Sequence, residues 1–257
     1  YQSKITKLFT HQINNTESTS KSISDEEIIL QKTKFREIIT PLVGPEITPS
    51  QIDILVNKLY VHIDIFDPVD FSYMPKENQK YFHTIDTKDH SPIFSKPYKE
   101  GKLRQEIIKQ TVEKWLKKGI CRPSQSPWAS PIVLVNKHFV QPNEMDITKL
   151  FRFCIDYRSL NSITTKNSYP LNPMDDVHQL LSEKQLYSSI DLVAAYHQIP
   201  IAEQDKQKTA FISSSMGLFE MNVMPFGLVN APASFQGFLQ KILVGLVNIC
   251  LYVYIDD

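Results

Sequence analysis

Apolar residues recur at helical spacing in three stretches of this 257-residue chain and gather into strand-like runs in four others. In "ITPSQIDILVNKLYVHIDIF" (47–66), Ile52, Leu55, Val56 and Leu59 share a face, which predicts a short helix near 50–62 with Thr48 or Ser50 as N-cap. "GKLRQEIIKQTVEKWLKKG" (101–119) places Leu103, Ile107, Ile108, Val112, Trp115 and Leu116 on a helical stripe, and Gly119 suits the stop. "NAPASFQGFLQKIL" (230–243) opens on Asn230 as N-cap with Pro232 in the first turn, ahead of Phe235, Phe238, Leu239 and Ile242.

The strand-like stretches are "SPWASPIVLVNK" (126–137) and "LFRFCIDY" (150–157), which pair across a polar connection at 138–149. "QLYSSIDL" (185–192) alternates, with Leu186, Ser188, Ile190 and Leu192 on one face and Tyr187, Ser189 and Asp191 on the other. "NICLYVYI" (248–255) runs straight into Asp256 and Asp257. Helices and strands mix without regular alternation, so the expected class is α+β, an antiparallel sheet packed on helices. Residues 1–31 are polar and Ser/Thr/Asn-rich and read as an arm, and 67–82 read as a loop. Together they predict an N-terminal extension over 1–82 and a main domain over 83–257.

Composition narrows the function classes. Hydrophobic residues make up 42% and charged residues 22%, as in ordinary globular chains. The formal net charge is zero, so no global basic field announces a nucleic-acid partner. Locally the charge is basic: nine Lys/Arg against three Glu between Lys96 and Arg122 leave +6 there. A solvated helix face and a phosphate-contact surface both account for it. Cys121, Cys154 and Cys250 form no CxxC, so neither a zinc site nor a disulfide framework is expected, and the compartment is a reducing one. The longest apolar run, Ile242–Ile255, is broken by Gly245 and Asn248 and is too short to span a bilayer. A chain opening on Tyr1 and closing on two aspartates reads as an internal fragment.

Asp191, Asp256 and Asp257 carry the candidate chemistry. Each follows an apolar strand, and carboxylates held at a sheet edge suit Mg²⁺, which takes one or two of them together with substrate phosphates. Two such ions activate an attacking oxygen and stabilise a leaving pyrophosphate. The plainer reading is that each aspartate only ends its strand.

"SPWASPIVLVNK", "FRFCIDYRSLN", "YPLNPMDDVHQLL", "YSSIDLVAAYHQIPI", "KTAFI", "MPFGLVNAPASFQ" and "VYIDD" follow one another in the order of reverse transcriptases, and most resemble those of gypsy-type LTR retrotransposons. "HTIDTKDHSPIFSKPYK" (83–99) is similar to the family's lead-in, so the resemblance spans 83–257. It implies the fingers and part of the palm of a right-hand polymerase, without the thumb. The activity implied is template-directed addition of dNTPs to a primer 3′-hydroxyl on RNA or DNA, with two Mg²⁺ ions or Mn²⁺ in their place. Asp191, Asp256, Asp257 and the carbonyl of Leu192 would hold the metals. The N–H groups of Ala194 and Ala195, with Arg152 and Lys137, would hold triphosphate, Lys149 being a rival to Lys137. Tyr196 would exclude a 2′-hydroxyl and Phe226 would pack on sugar and base, while Arg158, Gly227 and Tyr254 would meet template or primer. The partners implied are nucleic acid and other Pol domains (protease, RNase H, integrase), in a cytoplasmic virus-like particle or the nucleus, with no membrane and no secretion.

Ala195 departs from the glycine usual before the aromatic gate, and its methyl would crowd the phosphate loop. The isolated chain is expected to be inactive, since the second strand of the catalytic hairpin, the primer grip and the thumb lie beyond the pattern read here. Two rivals remain. An RNA-dependent RNA polymerase shares the carboxylates but usually carries a polar residue where Tyr196 stands. A decayed or domesticated element would only bind nucleic acid.

Overall fold

The computed structural model describes residues 25–62, 81–137, 150–169, 187–247, 249 and 251–253. Contacts divide the chain into two units, Tyr1–Val69 and Asp70–Asp257, a division inside 63–80 and so outside the described residues.

The first unit pairs helix α1 (Asp25–Ile39) with helix α2 (Pro49–Tyr60) through a 3₁₀ turn at Thr40–Leu42. Thr48, not Ser50, caps α2: its hydroxyl accepts from Gln51 N–H while the Gln51 side chain accepts from Thr48 N–H at 2.9 Å, a reciprocal capping box. Phe35 and Ile39 of α1 pack on Ile52 and Val56 of α2. α1 begins inside the stretch read as a polar arm. Its buried stripe is narrow, and helices of this kind draw stability from the partner they pack on rather than from their own pattern. Arg36 pairs with Asp53 at 2.6 Å across the same seam.

In the second unit, α3 (Lys102–Lys117) buries Ile107, Ile108 and Val112. It ends as the glycine predicted: Gly119 sits at φ 68°, with its N–H on Leu116 O and that of Ile120 on Trp115 O, a Schellman closure. Lys102, Glu106, Lys109, Glu113 and Lys117 are exposed on the outer side of α3, opposite charges recurring three or four residues apart. That arrangement supports the solvated-face reading of the local basic charge.

Five strands follow: β1 (Cys121–Pro123), β2 (Ser130–Asn136), β3 (Phe151–Ile155), β4 (Phe211–Ser213) and β5 (Gly217–Met221), in sheet order β1-β5-β4-β2-β3. β2 and β3 pair as expected, with Ile132 opposite Ile155 and Leu134 opposite Phe153, while Val135 faces Arg152. The sheet is not wholly antiparallel. β2 and β4 run parallel at Ser130–Phe211 and Pro131–Ile212, which requires the long crossover that the intervening chain supplies. Trp115 of α3 meets Phe153 (4.7 Å between centroids) and Phe211 (6.2 Å), binding helix to sheet.

The strand expected at 185–192 is absent over its described residues 187–192, and 249 and 251–253 show only a single bridge, between Leu251 and Val247. Alternation alone does not make a strand. A ladder partner must take its N–H and C=O groups, and no ladder reaches either segment among the described residues.

The lead-in is stitched to the domain. His83 bridges Ile201 in parallel and its Nδ1 lies 2.9 Å from Ser234 Oγ. Buried Asp205 accepts from Ile85 N–H at 3.1 Å and from Lys208 Nζ at 2.8 Å. Helices α4 (Arg158–Ile163), α5 (Glu203–Lys206) and α6 (Ala231–Ile242) complete the unit.

Candidate functional site

Residues 194–198 form a tight turn. Ala194 is left-handed at φ 49°, and a 3₁₀ turn follows over Ala195–Gln198, closed by His197 N–H on Ala194 O at 2.8 Å. The Gln198 side chain donates back to Val193 O at 2.9 Å. The first residues of such a turn have N–H groups its own ladder does not use. Ala194 and Ala195 hold those positions. The positive φ, a strained conformation for a residue with a side chain, lies at Ala194, while Ala195, the position of the extra methyl, is buried.

Tyr196 is also buried, its ring 4.8 Å from Phe226 and 5.5 Å from Phe235. Phe226 is 56% exposed, so the pair presents one face to solvent. His197 lies between Trp115 and Phe226, and burial, with the Lys118 charge adding to it, pushes its pKa down to about 4. It is therefore a neutral packing ring at neutral pH.

The loop carrying Phe226 turns at Gly227, whose φ of 94° is a glycine conformation. Two asparagines tie it down. Asn161 of α4 donates from Nδ2 to Gly227 O at 2.7 Å and accepts from Val229 N–H at 2.9 Å. Asn230 donates to Thr165 O at 2.8 Å and accepts from Asn167 N–H at 2.9 Å. Asn230 stands at the N-cap of α6 as the sequence suggests, yet its side chain makes no cap bond and holds the 165–167 segment instead. Asn161 had no role in the sequence reading. Its only local signal is its place at the end of "YRSLN".

Arg152 and Lys137 are exposed on the β2–β3 pair, Arg152 opposite Val135 and Lys137 N–H on Leu150 O. Arg158 forms a two-pronged pair with Asp156, Nε to Oδ1 at 2.8 Å and Nη2 to Oδ2 at 2.6 Å. That pair, aided by Tyr98 O–H, holds the Asp156 carboxyl down at about 2. Beside it opens a polar groove of about 410 Å³ lined by Ser95, Lys96, Tyr98, Arg158, Ser159 and Ser162, among others. Asp156 lines the groove too and its carboxylate offsets the Arg158 charge, so hydroxyls and Lys96 are what the groove offers an anion.

Asp191 is exposed and Leu192 half-buried, both on irregular backbone rather than at a strand end. Asp256, Asp257, Tyr254 and Lys149 lie outside the described residues. Among the described residues no group of three His, Cys, Asp or Glu could hold a metal. The structure thus brings together Tyr196, Phe226 and Gly227 with the Ala194–Ala195 turn.

The family described as "Reverse transcriptase (RNA-dependent DNA polymerase)" matches residues 139–257. The chain is 39% identical over 175 residues to the retrovirus-related Pol polyprotein from transposon 297 of Drosophila melanogaster, covering 68% of this chain and 16% of that one. It is 36% identical over 178 residues to the Pol polyprotein from transposon gypsy of the same organism, again covering 68% and 16%. An RNA-directed DNA polymerase homolog from Oenothera berteroana is 40% identical over 106 residues, 41% of this chain and 74% of that protein. The chain thus spans about a sixth of the two Pol polyproteins. A foamy viral protease-reverse transcriptase in complex with an RNA/DNA hybrid superposes with a TM-score of 0.62 at 20% identity, covering 95% of this chain and 30% of that one, a likeness of fold.

Proposed function

The chain belongs to the reverse transcriptase family, with gypsy-type Pol polyproteins among its relatives, and from that premise we propose that it forms fingers and palm of an RNA-directed DNA polymerase. One observation carries the reading furthest: buried Tyr196, under half-exposed Phe226 at 4.8 Å, sits inside a turn whose first N–H groups are left for an acceptor. An aromatic floor beside oriented amides suits a nucleoside triphosphate, sugar on the ring and phosphates on the N–H groups. Tyr196 then rejects a 2′-hydroxyl by occupying its space, and Phe226 packs against sugar and base. Arg152, with its planar donor fork, and Lys137 contribute charge toward the phosphates.

The family implies a divalent metal. Three carboxylates, Asp191, Asp256 and Asp257, with the carbonyl of Leu192, are a hard all-oxygen donor set that fits Mg²⁺ and also accepts Mn²⁺. Asp191 is exposed and so within reach of a hydrated ion. When bound, a pair of such ions lowers the pKa of the attacking hydroxyl and neutralises charge on the leaving pyrophosphate. The protein's own part is positioning: it holds the sugar, triphosphate and primer end in line and excludes the wrong sugar.

The groove beside Arg158 accommodates template backbone, with Gly227 allowing close approach and Tyr254 lying near the primer end. The proposal extends to RNA or DNA template–primer and dNTPs as substrates. It also places the chain with protease, RNase H and integrase domains in a Pol polyprotein, acting in a cytoplasmic particle or the nucleus. Asp191→Asn tests the core of it. In the full-length protein the variant should lose dNTP incorporation while still retaining primer–template in a filter-binding assay. Polymerisation at the wild-type rate by Asp191→Asn would remove the metal assignment.

A further inference from the structure

Asn161 commits both ends of its side-chain amide to a loop 66 residues away. Gly227 O can only accept and Val229 N–H can only donate, so the two partners fix which way the amide lies. Leu228 lies between them; Gly227, at positive φ, opens the anchored stretch, and immediately before it stands Phe226. With 56% of its surface exposed, the Phe226 ring is not fixed by burial. Its place over Tyr196 is set by the backbone that carries it, and one asparagine anchors that backbone twice directly after Phe226, at Gly227 O and at Val229 N–H. α4 itself is seated independently: Leu160 is buried, and Asn161 N–H bonds Tyr157 O at 2.7 Å. The anchor is thus a rigid element and the anchored part is the exposed one.

We propose that Asn161 is a positioning residue for nucleotide selection, holding Phe226 against Tyr196 so that the sugar site keeps the width that admits deoxyribose and refuses ribose. The inference rests on the polymerase reading of that site. Asn161 touches no reacting atom; it acts through Gly227 and Val229. If the anchor is removed, the Phe226 ring is free to tilt away from Tyr196, and the cost falls on binding and on the choice of sugar before it falls on chemistry.

Two variants test it. Asn161→Ala removes both bonds, while Asn161→Asp keeps the acceptor for Val229 N–H but sets a carboxylate oxygen against Gly227 O. Amide exchange at Val229 should accelerate in the alanine variant and stay slow in the aspartate variant. In the full-length enzyme, dGTP and GTP are compared on oligo(dG)-primed poly(rC). Both variants should raise KM for dGTP roughly tenfold, the value of one or two lost hydrogen bonds, and lower the dGTP-over-GTP preference by a similar factor. kcat should move far less, a split that general loosening of the fold does not produce. Faster Val229 exchange with KM and preference within twofold of wild type would overturn the inference, and so would unchanged exchange in Asn161→Ala. If the alanine variant does not fold, unchanged preference in Asn161→Asp is the overturning result. Absence of dGTP incorporation by the wild-type enzyme is a different failure: it removes the polymerase reading, and this inference with it.

Discussion

Tyr157→Phe separates stability from site geometry in this protein. The Tyr157 side chain is among the largest that are fully buried, and its hydroxyl donates to Thr209 O at 2.9 Å, linking the end of β3 to the residues before β4. Thr209 is itself wholly buried; its own hydroxyl accepts from Met221 N–H at 3.0 Å and donates to Lys206 O at 2.6 Å. Removing the phenolic oxygen leaves the Thr209 carbonyl without that donor in a place water does not reach. A lost bond that strands a buried acceptor costs about 1–3 kcal/mol, whereas the ring and its packing remain. For a unit of this size each kcal/mol lowers Tm by roughly 2–4 °C, so the expected fall is roughly 2–12 °C. The ring also lies 3.7 Å from the point a Cβ on Gly227 would occupy, so keeping it preserves the support beneath the Phe226 loop. Calorimetry should therefore show a lower Tm, while Val229 amide exchange under native conditions stays near wild type. A Tm within 1 °C of wild type would mean the bond contributes nothing net, and a shift above 12 °C would mean the ring does not hold its place once the hydroxyl is gone.

Gly227→Ala probes the turn itself. An added Cβ would meet Ile155 O at 3.6 Å and Tyr157 Cδ2 at 3.7 Å, ordinary contact distances, so the cost is conformational, about 1–2 kcal/mol for a side chain at positive φ; urea unfolding that showed no loss would refute that account. Acid should also destabilise the fold. Burial lowers both His83 and His197 to about 4 from 6.5, so between these values the unfolded chain binds the protons and the folded one does not. Stability contributed by neutral His83 and His197 is complete above pH 6.5 and declines toward pH 4. Tm should be level from pH 7 to 8 and fall steadily below 6.5, and a curve flat to pH 4.5 would show that neither ring is buried as found.

The periodic elements were legible from the residues alone. α3 and α6 follow from 3.6-residue stripes that bury Ile107, Ile108 and Val112 in one and Phe235 and Leu239 in the other. β2 follows from the β-branched run after its prolines and β3 from the apolar stretch that partners it, and the turn after α3 from Gly119. These depend on residues within a few positions of one another, which sequence order displays. α1 was not legible, because Phe35 and Ile39 acquire meaning only against α2. Nor was the fate of "QLYSSIDL", since period two is necessary for a strand but a ladder partner decides it. The candidate site divides the same way. Residue types such as the carboxylates of Asp191, Asp256 and Asp257 and the aromatic ring of Tyr196 could be named from motif order. That Tyr196 lies under Phe226 and that Asn161 grips the turn at Gly227 could not. Each of these side chains is chosen by a neighbour that folding brings up, in the case of Asn161 from 66 residues away. Local order fixes what a residue can form by itself, and only the folded chain decides which donor meets which acceptor.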